Sequence, residues 1–247
     1  MKYKFLLLFF FLIVTSGFSQ VNMKPEETEI WTPKPPVVIP GNESKAPSDA
    51  IVLLDGNGFA NWESAKDGST PKWQLNSDGS MTVLPGTGNI QTKEKFGDVQ
   101  LHIEWKSPLE LEKTGQNRGN SGVYLQKRYE VQVLDNNDND TYVNGQVGSI
   151  YKQSVPLAMA SKKTGEWNSY DIIFHAPKFD ARGNLVKKGI ITVLHNGILV
   201  QDHFEIEGTT EYIGKPKIIA HGQAPLELQD HGSAVSYRNI WLRKLNE

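Results

Sequence analysis

Glu130 and Gln132 lie two residues apart in Tyr129-Glu130-Val131-Gln132-Val133, where apolar and polar side chains alternate. Period-two alternation describes a strand with unlike faces. The polar face carries a carboxylate and an amide, and just upstream lies the polar, Gly-rich run Asn117-Arg118-Gly119-Asn120-Ser121-Gly122. A three-residue turn over Gln126, Lys127 and Arg128 would pair Tyr124 with Glu130 and Gly122 with Gln132. Val123 and Leu125 would then join Val131 and Val133 on the apolar side. A two-residue turn mixes the faces, so the three-residue register is expected. Its product is a floor bearing Asn120, Tyr124, Glu130 and Gln132. That set suits a sugar: hydrogen-bonding groups for hydroxyls and an aromatic for a ring face. An edge hairpin with a solvated polar face is the alternative.

Two further clusters have types and spacing suited to chemistry. In Val99-Gln100-Leu101-His102-Ile103-Glu104-Trp105, His102 and Glu104 share the polar face. A His and a Glu at i and i+2 on a strand suit metal binding or proton sharing, and with Glu130 they raise the prospect of paired acids, the usual tools of glycoside hydrolysis. In Leu226-Glu227-Leu228-Gln229-Asp230-His231-Gly232, Asp230 is placed to orient His231, against the plainer reading of a turn with a satisfied histidine. Residues 135–140 imitate a calcium loop but lack its Gly and distal Glu. Neither a phosphate-binding glycine loop nor a serine nucleophile elbow occurs.

The elements that must position these groups are short strands. Residues 50–54, 73–75, 80–84, 99–105, 167–175 and 235–242 all read as strands, and Asn196-Gly197 between two apolar runs marks a hairpin. No apolar pattern at helical spacing lasts ten residues, and there is no internal repeat. An all-β sandwich or barrel is expected.

The chain has 247 residues, 38% of them apolar, enough for one large core. It has no cysteine, which removes disulfides, thiol nucleophiles, thiolate metal sites and a lipid-modified N-terminal cysteine. A net charge of −2 without a basic run argues against nucleic acid. Lys2 and Lys4, the apolar run 5–14 and small residues at Gly17 and Ser19 read as a signal peptide over 1–19. Residues 20–49, rich in proline, read as an arm or linker, and 50–247 as the sandwich domain. The expectation is an exported protein, periplasmic or extracellular, neither lipid-anchored nor membrane-spanning.

Five blocks in order, residues 96–105, 119–124, 129–135, 165–168 and 228–241, resemble the 3-keto-disaccharide hydrolase domain family. The resemblance runs from about Pro47 to Leu245. It implies a concanavalin A-like jelly-roll of two antiparallel sheets with the site on the concave face. It also implies cleavage of glycosides already oxidised to a ketone at sugar C3. The glucanases of this fold carry three alternating acids on one strand, whereas Glu130 is followed by Gln132 and Leu134. Elimination is the route open to a ketone: a base removes the acidified C2 proton, the C1 substituent leaves, and water adds back. In that scheme Glu130 or Glu104 is base or metal ligand, and His231 is acid or base, oriented by Asp230. Arg118 or a bound divalent cation polarises the ketone. Asn120, Tyr124, Gln132, Gln229 and His102 hold hydroxyls. A separate sugar C3 oxidoreductase would be a functional partner. The alternatives are a lectin-like domain that binds without turnover, and an inert envelope domain.

Overall fold

The computed structural model describes residues 23–42 and 45–245. The signal-peptide segment lies outside the described residues. Residues up to Val37 form one unit, with a single 3-10 turn at Pro25–Glu27. Val38–Glu247 forms the other, and it holds every strand among the described residues. Arg243 clamps Asp49 through its Nε and Nη2, 2.9 and 2.7 Å from Oδ2, anchoring the chain just before the first strand.

The fold is the expected all-β jelly-roll sandwich, with antiparallel pairing throughout. The larger sheet runs Ile198–Glu205, Ile190–His195, Asn168–His175, Val99–Lys106, Ser236–Lys244, Met81–Thr82, Gln74–Leu75, with Ile51–Leu54 also paired to Ser236–Lys244. The smaller runs Trp62–Ser64, Ile90–Thr92, Glu227–Leu228, Ser121–Leu125, Tyr129–Val133. The Asn-Gly hairpin forms as expected, Asn196 and Gly197 both at positive φ, which the tight primed turn requires.

Alternation decides which side chains meet between the sheets. Leu101, Ile103 and Trp105 of the larger sheet and Val123, Val131 and Val133 of the smaller share one buried core. Two buried tyrosines of the larger sheet also reach across it. Tyr170 Oη donates to the Gln132 carbonyl (2.7 Å), and Tyr237 Oη to Ser121 Oγ (2.7 Å), which itself donates to the Gln229 carbonyl (2.6 Å). These bonds tie the backbone beneath the polar floor to the opposite sheet.

Candidate active site

The hairpin register is the one the face pattern demands. Tyr124 pairs with Glu130 and Gly122 with Gln132, around a turn in which Gln126 and Lys127 have positive φ. Tyr129–Val133 ends its sheet, and an unpaired edge must be covered. Residues 148–151 do so: Gln132 N–H donates to the Ser149 carbonyl and Tyr151 N–H to the Glu130 carbonyl. Beside them the Glu130 N–H donates to Thr210 Oγ1 (3.0 Å). Two loops are thereby folded against the outward face of the small sheet, enclosing a cleft of about 150 Å³ that Tyr124, Glu130, Gln132, Tyr151, Gln229 and His231 help to line.

Glu130 is 3% exposed and has no ion-pair partner among the described residues. Tyr124 Oη donates to its Oε2 at 2.8 Å. Burial raises the Glu130 pKa to about 8, with the Tyr124 hydrogen bond opposing. Burial, then the Glu130 charge, push the Tyr124 phenol well above its usual range, so it remains a donor. The carboxylate lies over Gly122: a Cβ there would clash with Glu130 Oε1 and sit 2.8 Å from Tyr124 Cε2. Glycine is thus required by the approach of the acid itself.

Amides complete the floor. Gln132 Nε2 donates to Gln116 Oε1 (3.1 Å) and Asn120 Oδ1 (3.3 Å), Asn120 Nδ2 to the Gln116 carbonyl (2.6 Å), and Gln229 Nε2 to Tyr124 Oη (3.2 Å). The buried Oε1 atoms of Gln132 and Gln229 have no protein partner among the described residues. His231 is exposed on the cleft wall. Lys152 Nζ donates to the Tyr212 carbonyl and lies 4.6 Å from the Tyr212 ring centroid and 5.6 Å from that of Tyr151, stapling the two covering loops together.

The cleft therefore gathers Glu130, Asn120, Tyr124, Gln132, Gln229 and His231, but not the other expected residues. Glu104 and His102 project from the outward face of the opposite sheet, across the core from Glu130, so the two glutamates cannot act as a pair. Asp230 does not orient His231: its carboxylate accepts from Gly88 N–H (2.9 Å) and Gly232 N–H (3.0 Å), shaping the turn. Arg118 is buried, its Nε donating to Asp135 Oδ2 (2.9 Å), and it does not line the cleft. Among the described residues no group of three or more His, Asp or Glu is placed to hold a metal ion. Gln116, Tyr151, Thr210 and Tyr212 were not foreseen. Gln116 directly precedes the polar, Gly-rich run 117–122, whereas the other three come from loops with no distinguishing pattern.

A larger hollow, about 440 Å³, surrounds His102 and Glu104, but its titratable groups are locked. Burial opposes the charge on each, yet Asp171 and Glu104 raise His102 to about 9, and hydrogen bonds from His102, Asn239 and Arg238 lower Glu104 to about 2. Neither changes charge near neutrality. Glu130 does, which is the property expected of a catalytic acid or base.

The comparisons agree with this architecture. A candidate glycosyl hydrolase from Parabacteroides distasonis is 50% identical over 91% of this chain and 98% of its own, with a TM-score of 0.87. A second candidate glycosyl hydrolase from the same organism has the same fold at 23% identity, covering 80% of this chain and 94% of its own, TM-score 0.58. No curated protein matches. The model of the 3-keto-alpha-glucoside-1,2-lyase-like domain matches residues 49–243, and this chain belongs to that carbohydrate-active family.

Proposed function

We propose that the protein cleaves 3-keto-glycosides by elimination followed by hydration, with Glu130 as the base. The observation that carries this reading is a buried carboxyl without a cationic partner, on the floor of a polar cleft, with a pKa of about 8. A C3 ketone acidifies the C2 hydrogen. Glu130 takes that proton, the C1–O bond breaks as C1=C2 forms, and the departing oxygen receives a proton from His231. Water then adds its hydroxyl to C1 and a proton to C2, giving the free 3-keto sugar.

Tyr124 holds the carboxylate in place throughout. Gln132 and Gln229 line the cleft where the sugar hydroxyls would lie. Thr210 Oγ1 accepts from Glu130 N–H and so keeps its own proton for the ketone oxygen. Tyr151 and Tyr212 offer ring surface to the sugar or its substituent. The substrate must come from oxidation of a glycoside hydroxyl at C3, the work of a separate oxidoreductase. The N-terminal segment, read as a signal peptide, would export the enzyme to where such glycosides are met.

The test compares a glucoside with its 3-keto derivative. Release of sugar from the keto form alone, with hydrogen–deuterium exchange at C2, is expected. Release from the plain glucoside, or turnover that survives both Glu130→Gln and His231→Ala, refutes it. Binding without turnover would instead support a lectin-like role.

A further inference from the structure

Two of the five sequence blocks, and the end of a third, contribute nothing to the Glu130 cleft. Residues 96–105, 165–168 and the end of 228–241 converge on the opposite side of the sandwich, as His102 and Glu104, Trp167 and Asn168, and Arg238, Asn239 and Trp241. A β-bulge brings them together. The register of Ser236–Lys244 against Val99–Lys106 shifts between Arg238 and Trp241, and Asn239 has φ 46°. The extra residue lets Arg238 and Asn239, consecutive in sequence, both face outward, after which Ile240 returns to the core and Trp241 faces out again. Asparagine tolerates this left-handed backbone better than most residues, which suits it to the bulge.

The result is an organised polar floor. Arg238 Nε donates to Glu104 Oε2 (2.6 Å) and Asn239 Nδ2 to Glu104 Oε1 (2.8 Å). His102 Nδ1 lies 2.7 Å from Asp171 Oδ1, and its ring stacks on Trp241 at 5.1 Å and 14°. Arg238 lies over the Trp167 ring at 4.3 Å. The side chains of His102 and Glu104 are only 16% and 12% exposed, yet they open onto a hollow of about 440 Å³. A second hollow of about 580 Å³ adjoins it, sharing Arg238, Asn239 and Trp241 and reaching Lys45, Asp55 and Asp78. Each is within the roughly 300–1,000 Å³ usual for small-ligand sites, and Trp241 is among the three residues that line both.

We infer that these joined hollows are a second, non-catalytic binding groove for a neutral glycan chain, with Trp241 as its central stacking surface. Positive groups (His102, Lys45, Lys162, Arg238) and negative ones (Glu104, Asp55, Asp78) are interleaved, which favours a ligand that both donates and accepts hydrogen bonds without net charge. Sugar hydroxyls do both, and indole faces suit the C–H face of a pyranose. Two adjoining hollows with Trp241 in both call for successive rings of a chain rather than a single sugar. The groove would hold the protein on a glycan while the Glu130 cleft remains free, and it does not depend on the reaction proposed there.

The test is calorimetric titration of the purified protein with neutral glucose hexasaccharides of β-1,4, β-1,3 and α-1,4 linkage and with an anionic polyuronate hexasaccharide. Saturable binding of at least one neutral chain is expected. Trp241→Ala and, separately, Trp167→Ala should each weaken it roughly tenfold or more, with the thermal midpoint and near-ultraviolet dichroism of each variant verifying its fold. Glu130→Gln should leave affinity unchanged. Binding of none of the neutral chains, preference for the polyuronate, retention in both tryptophan variants, or loss in Glu130→Gln would each overturn the assignment.

Discussion

Replacing Glu130 by Gln should remove activity and, at neutral pH, make the protein more stable. The carboxyl titrates near 4.5 when exposed and near 8 in the fold. Between those values the folded state holds a proton that the unfolded state has released, so unfolding becomes easier as pH rises. The cost to the wild type is absent below about pH 4.5, roughly 3 kcal/mol at pH 7 and roughly 5 kcal/mol above pH 8. Gln has the same shape, does not ionise, and can still accept from Tyr124. Its own packing and hydrogen-bonding penalty is independent of pH, so the diagnostic quantity is the slope. The stability difference, Glu130→Gln variant minus wild type, should grow by about 1.4 kcal/mol per pH unit between pH 5 and 8. Urea unfolding at pH 5, 6, 7 and 8 measures it, and each kcal/mol corresponds to roughly 2–4 °C in thermal midpoint for a chain of this size. Turnover of a 3-keto-glucoside should fall by about 10²–10⁴. Parallel stability profiles for the two proteins would refute the claim that a buried, uncompensated carboxyl lies at this position.

Other outcomes follow from the same geometry. As the base, Glu130 must be ionised, so kcat/KM should rise with pH and level off above about 8; a fall over that range would make it the acid. Tyr124→Phe removes the hydrogen bond that lowers the Glu130 pKa, so the rising limb of the pH–rate profile should move to higher pH. Gly122→Ala places a Cβ in steric overlap with Glu130 Oε1, and should cost roughly 1–3 kcal/mol of stability and most of kcat while sparing the core, as unfolding and steady-state kinetics would report. Buried His195 has its pKa lowered to about 4, by burial first and then by the Lys162 charge. Its unfolded form binds a proton more readily, so stability is full above pH 6.5 and declines by roughly 3 kcal/mol towards pH 4. His195→Gln should flatten that acid limb in urea titrations.

The alternation in residues 129–133, the three-residue turn and the Asn196-Gly197 hairpin could be read along the chain, because period, turn length and side-chain direction are local properties of backbone geometry. The ordered blocks likewise carried the family and its sandwich. The cleft needed more. Alternation says that Glu104 and Glu130 both point away from the core, but only the assembled sheets reveal that they do so on opposite sides. Asp230 and His231 are neighbours in sequence, yet turn geometry directs the carboxylate to the Gly88 and Gly232 amides, and Asp135, seventeen residues on, captures Arg118. Tyr151, Thr210 and Tyr212 enter the cleft because an unpaired strand edge and the Glu130 amide drew their loops in. Strand pattern determined which residues leave the core; which of them meet was decided by long-range pairing, whose energies depend on partners distant in the chain.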